Sequence, residues 1–152
     1  MFTYFANAEF VEEEGAFEIN FYDFPDIQGV TFCKDDVELE AEEVLLATLS
    51  ELVTSRKAIP LPQERTESAE SAESAFPVYL PILVCLKVAL HNAMLDTKTL
   101  RVDLARKMNI NAQQIERLLD VHYASKIEML EQALYLLDYE AKVTVKKRSQ
   151  HE

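Results

Sequence analysis

Residues 100–119 read LRVDLARKMNINAQQIERLL, and this stretch decides the architecture of the C-terminal half. Two helices that cross tightly need a small residue on the first, and Ala105 supplies it. The turn needs a residue that tolerates positive φ four positions later. Asn109 stands there, the best occupant after glycine. The second helix must return apolar side chains to the first, and Ile110, Ile115 and Leu118 are spaced for that. Its other face carries Gln113, Gln114 and Arg117, side chains suited to base edges and phosphates. Arg106 on the first helix, with His122 and Lys126 just beyond the second, are candidates for phosphate contact. Glu116 is the one acid on this face. The segment reads as a helix-turn-helix, with an ordinary helical hairpin as the alternative.

Before it, Ile82 to Leu95 is apolar almost all round, with Lys87, His91 and Asn92 forming a narrow polar stripe. A helix this apolar must be covered on most sides. In a small domain a second subunit is the natural cover, so Leu83, Leu86, Leu90 and Met94 are the expected oligomer interface. Pro77, Pro81 and the polar stripe make the same region a poor membrane span. After it, helices are expected over Leu100–Met108, Ala112–Val121 and Ile127–Leu137. Ala141, Val143 and Val145 then alternate with Lys142, Thr144 and Lys146, the pattern of a short terminal strand.

The N-terminal half changes period. Phe2, Tyr4, Ala6 and Ala8 alternate as in a strand, and Glu12-Glu13-Glu14-Gly15 is a turn signal. Phe17, Ile19 and Phe21 give a second strand with one buried face. Phe24-Pro25-Asp26-Ile27-Gln28-Gly29 reads as a bent loop before a third strand over Val30–Cys33. Val37, Ala41, Val44, Leu45, Leu49, Leu52 and Val53 fall at helical spacing, with Asp35 or Asp36 available as N-cap. Ile59-Pro60-Leu61-Pro62 is a stiff exit. From Glu67 to Ala75 the triplet Glu-Ser-Ala runs three times without a large apolar residue, which reads as a flexible linker. Phe76–Leu80 is a returning strand that Pro77 confines to a sheet edge. The expected organisation is therefore an acidic α+β domain over 1–62, a linker over 63–75 and a strand over 76–80. A helical domain over 81–140 and a tail over 141–152 follow.

Charge follows the same division. The net charge of −12 comprises −11 for residues 1–62, −3 for 63–75 and +2 for 76–152. The first part would be repelled by phosphate, and the last would not. Two glycines argue against a glycine-rich nucleotide cradle. Cys33 and Cys85 follow no metal or redox spacing and are expected to be reduced thiols. Met1-Phe2-Thr3-Tyr4 carries no basic segment of a secretory signal, so a cytoplasmic protein is expected. His91, His122 and His151 share no metal spacing. The carboxylates Asp23, Asp26, Asp35, Asp36 and Glu38 are dense enough to raise a metal-dependent nuclease, but a helix start and a Pro-containing loop account for them better. No catalytic residue, metal, cofactor or small-molecule substrate is expected.

These fragments, in this order, resemble the HicB family of antitoxins. The likeness rests on Tyr4-x-Ala6, Glu14-Gly15, Phe24-Pro25-Asp26-x-x-Gly29, Asp35 with the Glu-rich helix, and Ile59-Pro60-Leu61-Pro62. It continues through Leu80-Pro81, Lys87-x-Ala89-Leu90-x-Asn92-x-Met94, Leu104-Ala105-Arg106, Gln113-Gln114-x-x-Arg117-Leu118-Leu119-Asp120 and His122-x-x-x-Lys126-Ile127. Gln28 stands where the family usually has Pro, Phe5 where Pro is common, and Asn109 where the turn has Gly. The resemblance implies a partial ribonuclease-H-like N-terminal domain of three to four strands and one helix, which masks a small basic HicA-like toxin that cleaves mRNA. It also implies dimers or tetramers that bind operator DNA of their own operon. Tyr22, Asp23, Phe24 and Asp26 are the candidate toxin contacts, with packing of that loop on its own core as the alternative. A stand-alone repressor whose α+β domain senses a ligand is the second functional reading.

Overall fold

The structure is a computed structural model that describes residues 3–63 and 75–147. It is α+β: an antiparallel sheet at the N-terminal end, one helix across it, then helices. The strands are β1 (Thr3–Val11), β2 (Ala16–Phe21), β3 (Phe24–Thr31) and β4 (Ala75–Tyr79). Among the described residues they lie in the order β3-β2-β1-β4, every neighbour antiparallel. Tyr4, Ala6, Ile19 and Phe21 alternate inward and are buried, as the period-2 pattern requires. Gly15 closes the first hairpin at φ +63°, and its N–H and that of Glu14 donate to the Val11 carbonyl at 2.9 and 3.2 Å.

One expectation fails in this sheet. The segment Phe24–Gly29 is not a loop before a strand; it is the strand itself, pairing Ile19 with Gly29 and Asn20 with Gln28. Pro25 misled the reading because proline rarely sits in a ladder. Here β3 is an edge strand and Pro25 is its second residue, where a missing N–H is tolerated. Gly29 allows the covering helix to approach closely: a Cβ there would lie 3.1 Å from Val44 Cγ2 and 3.4 Å from Ile19 Cβ.

That helix, α1 (Val37–Thr54), buries Val37, Ala41, Leu45, Leu49 and Val53 at strict four-residue spacing. A 3₁₀ turn over Lys34–Asp36 precedes it, and no side chain caps it, so Asp35 and Asp36 act on its dipole rather than as hydrogen-bonding caps. Beyond α1 the exit segment is fastened by three side chains, Tyr4 of β1 and the adjacent His91 and Asn92. Tyr4 donates its hydroxyl to the Pro60 carbonyl at 2.7 Å. His91 Nε2 lies 2.7 Å from the Lys57 carbonyl. Asn92 does most: its Oδ1 accepts from Ile59 N–H at 2.9 Å and its Nδ2 donates to the Ile59 carbonyl at 3.0 Å. Ile59 is thereby buried. The Glu-Ser-Ala run lies outside the described residues except for its last residue, Ala75. The chain then returns as β4 on the β1 edge, the position expected from Pro77.

The remaining helices are α2 (Ile82–Asp96), α3 (Arg101–Met108), α4 (Ala112–Leu119) and α5 (Ile127–Leu136). The chain covers α2 itself. Its principal neighbour is α5, with α4 beside it, and Leu86, Leu90 and Met94 are buried while Leu83 is half-buried. The interface expected at those residues is therefore already occupied within one protomer. The polar stripe also lies inward, with Lys87 and His91 buried. The short terminal strand that the alternation from Ala141 to Lys146 suggests is not formed; the described tail residues 141–147 make no ladder. With few glycines available, four helices end on side-chain-bearing residues in the left-handed region: Arg56, Lys98, Asn109 and Asp138, at φ 57°, 53°, 56° and 67°.

Two stability measurements follow. Asn92→Ala leaves both polar groups of buried Ile59 without their partner. It should cost about 1–3 kcal/mol in urea unfolding, and a variant matching wild type would mean the clasp contributes nothing. Lys98→Gly relieves a strained cap on an exposed residue and should raise stability by up to about 1 kcal/mol.

Candidate nucleic-acid interface

The helix pair α3–α4 is built by its turn. Asn109 takes φ 56° and ψ 46°, the conformation the sequence demands of it. Around it the Asn109 N–H donates to the Arg106 carbonyl at 3.2 Å and the Ile110 N–H to the Ala105 carbonyl at 3.0 Å, closing the last turn of α3. Asn111 then caps α4: its Oδ1 accepts from the Gln114 N–H at 2.8 Å, while Gln114 Oε1 accepts from the Asn111 N–H at 3.0 Å. This reciprocal cap commits half of the Gln114 amide and leaves its NH₂ outward. Ala105, Ile115 and Leu118 are buried, and Ile110 is half-buried between the two helices.

The outer side of α4 carries Gln113, Gln114 and Arg117, all exposed. Arg117 is central. Gln113, Arg117 and His122 line a groove of about 490 Å³ whose far wall is the end of α1, at Ser50, Val53 and Thr54. On the opposite side Gln114, Arg117 and Lys126 border a smaller hollow of about 250 Å³ with Tyr123. Arg106 is exposed on the last turn of α3 and borders neither. Five of the six expected contact residues thus surround one helix, and Arg106 stands apart.

Two residues missed in the sequence matter here. Arg101 pairs with Glu116, so the acid that opposed nucleic acid on this face is neutralised from the neighbouring helix. A pair separated by fifteen positions across a turn leaves no periodic signal. Tyr123 lies under Arg117, whose guanidinium is 5.4 Å from the ring centroid, a cation–π geometry that fixes the long side chain. Its position beside His122 was visible, but its use was not.

The helix is also held from beneath. Lys87, fully buried, donates from Nζ to the Arg117 carbonyl and to Ser125 Oγ, each at 2.8 Å. This satisfies a carbonyl of the last turn of α4 and ties it to the loop that carries His122 and Lys126. Burial pushes the Lys87 ammonium down to about 8, against the opposing charge of Asp120. Burial also pushes His91 below its ordinary value, Arg101 adding to it, while the Lys57 carbonyl opposes the shift.

The candidate partner-facing residues of the N-terminal part separate. Tyr22 and Asp26 are exposed at the β2–β3 hairpin, Asp23 is half-buried and accepts from the Gln63 N–H at 3.4 Å. Phe24 is buried against Tyr4, with ring centroids 5.2 Å apart, so it serves the core. Burial pushes the Tyr4 phenol upward. Cys33 is exposed and Cys85 buried, and neither is in a disulfide. Among the described residues, no group of three or more His, Cys, Asp or Glu side chains is placed to hold a metal ion, and no helix is long and apolar enough to cross a membrane.

Residues 3–89 match the family described as HicB_like antitoxin of bacterial toxin-antitoxin system. The chain is similar to Antitoxin HicB of Pseudomonas fluorescens (strain Pf0-1), 30% identical over 126 residues that cover 83% of each chain. It is similar to Antitoxin HicB of Escherichia coli (strain K12), 30% identical over 129 residues, 84% of this chain and 88% of the relative. Antitoxin HicB 2 of Photorhabdus laumondii is 27% identical over 129 residues, 85% of this chain and 87% of the relative.

The buried lysine makes a pH prediction. Its folded pKa lies below the unfolded value of about 10.4, so the unfolded chain holds the proton more tightly and stability contributed by this group rises with pH above about 8. Between pH 7.5 and 9.5 wild type should gain about 1–2 kcal/mol relative to Lys87→Met in urea unfolding. Parallel pH profiles for the two proteins would refute the assignment.

Proposed function

The chain belongs to the HicB-like antitoxin family, and from that membership we propose that it neutralises a small HicA-like mRNA-cleaving toxin and represses its own operon through α3–α4. In this reading α3 and α4 form a helix-turn-helix within residues 81–140. The sheet and α1 form a partial ribonuclease-H-like domain over 1–62 completed by the returning strand 76–80, with 63–75 as linker. The protein acts in the cytoplasm as a homo-oligomer and needs no cofactor.

The observation that carries the DNA half is the face of α4. Gln113, the free NH₂ of Gln114 and Arg117 point outward together, and the acid beside them, Glu116, is paired with Arg101. Amide side chains suit adenine and arginine suits guanine in a major groove. His122 and Lys126 flank them as phosphate contacts, and Arg106, apart on the last turn of α3, is a third. Charge carries the toxin half. The net −11 of residues 1–62 suits a basic protein and disfavours nucleic acid, so the two partners meet different ends of the molecule. Opposite fields speed such an encounter. Tyr22, Asp23 and Asp26 at the β2–β3 hairpin are the proposed toxin contacts.

Titration of the DNA upstream of its own gene tests the first half. Arg117→Ala should weaken binding about tenfold and lower the slope of log affinity against log salt by about one; unchanged values of both would end the assignment. Co-expression with the neighbouring toxin gene tests the second. Growth arrest should be relieved by wild type and less so by Tyr22→Ala/Asp26→Lys. Repression without relief of arrest would leave the stand-alone repressor as the better reading.

A further inference from the structure

Helix α5 carries an outward stripe unrelated to its packing on α2. Glu128, Glu131 and Tyr135 follow one another at three- and four-residue spacing, and the turn beyond adds Asp138 and Glu140. With Leu136 they line an open groove of about 890 Å³. From Ile127 to Glu140 the chain has four acids and no base; from Lys142 to Lys147 it has three lysines and no acid. Tyr135, in the middle of the acids, is 77% exposed.

The basic segment does not fill the groove beside it. Its root is fixed, because Leu137 is buried and the Tyr139 hydroxyl donates to Asp96 Oδ2 at 2.6 Å. Beyond Ala141 it leaves the body of the protein. Val145 is 91% exposed, and the ion pair of Lys142 with its near neighbour Glu140 is long, 3.9 Å, between two solvated side chains. An alternating Val-Lys segment without a ladder partner and an acidic aromatic groove, joined among the described residues by the long pair of Lys142 with Glu140 alone, thus lie next to each other on one chain.

We propose that two copies of this chain pair by exchange, each placing its segment Lys142–Lys147 in the Glu128–Glu140 groove of the other. Such an interface is self-complementary and closes as a two-fold dimer. Val143 and Val145 cover apolar surface at Tyr135 and Leu136, and three ammonium groups meet four carboxylates. A second copy satisfies both features at once, whereas any other partner would need to supply a basic apolar strand of its own. The inference bears on the self-association in the reading above and replaces the expected α2 interface. It is independent of the DNA and toxin contacts.

Charge reversal in the full chain tests it by sedimentation equilibrium. Wild type should dimerise, less tightly as salt is raised. Glu128→Lys/Glu131→Lys and Lys146→Glu/Lys147→Glu should each weaken self-association at least about tenfold, with circular dichroism unchanged because all four residues are exposed. Mixed in equal amounts, the two variants should recover dimer, since each groove then meets a segment of opposite charge. A monomeric wild type overturns the proposal, as does a dimer indifferent to both reversals or a mixture that fails to pair. A monomer that still binds operator DNA would sink this inference alone.

Discussion

The two hydrogen bonds between the Asn92 amide and the backbone of Ile59 are the contact on which the rest of the molecule hangs. They join α2 to the segment leaving α1, beside the contact of His91 with the Lys57 carbonyl. Lys87 and His91 extend the same stripe, one reaching the last turn of α4 and the other the Lys57 carbonyl. An otherwise apolar helix thus uses its few polar side chains as fasteners rather than as a solvated face. Buried polar groups that find partners cost little and specify one arrangement, whereas unpaired ones are expensive. The position of α4 relative to the end of α1, and with it the groove lined by Gln113 and Arg117, follows from these contacts.

Much of this was legible in the sequence because it depends on local period. The four-residue spacing from Val37 to Val53, the alternation in β1 and β2, and the left-handed Asn109 each follow from neighbours on the chain. What was not legible depends on partners far away. The polar stripe of α2 carried no sign of its use because its partners, Lys57, Ile59 and the Arg117 carbonyl, lie thirty or more positions off. The apolar side of α2 then looked available to another subunit, although α5 covers it. Phe24–Gly29 resembled a loop because Pro25 is a strong local signal, and only its place at a sheet edge overrides it. Leaving the pairing of Arg101 with Glu116 unseen made the face of α4 look less balanced in charge than it is.

The site residues divide in a similar way. The composition of the outer face of α4 was visible from helical spacing, and its exposure agrees. The commitment of Gln114 to a cap was also written locally, as Asn followed three residues later by Gln. The hairpin residues separated for a reason that no local pattern carries: Phe24 turns into the core against Tyr4, while Tyr22 and Asp26 turn out. A surface patch is thus narrower than the run of sequence that suggested it. The division of charge between the two ends of the chain has a structural counterpart as well, since the acids of α1 lie on the helix covering the sheet and the cations gather around α4.

The place of β4 in the sheet has a consequence for the order of assembly. The hairpins β1–β2 and β2–β3 join neighbours, whereas β1 finds β4 only through pairs such as Thr3 with Tyr79. Contacts of such long separation form late. As the chain emerges from the ribosome, a three-stranded sheet with α1 across it can form first, with the backbone edge of β1 still unpaired. Open edges of this kind recruit strands from other chains. The Asn92 clasp and β4 arrive together on the next stretch of polypeptide, so the event that seats the helices also seals the edge. Slow synthesis between Ile59 and Asn92 would lengthen the interval in which nascent copies can associate wrongly, and the sheet is protected only once the helical half has begun to fold.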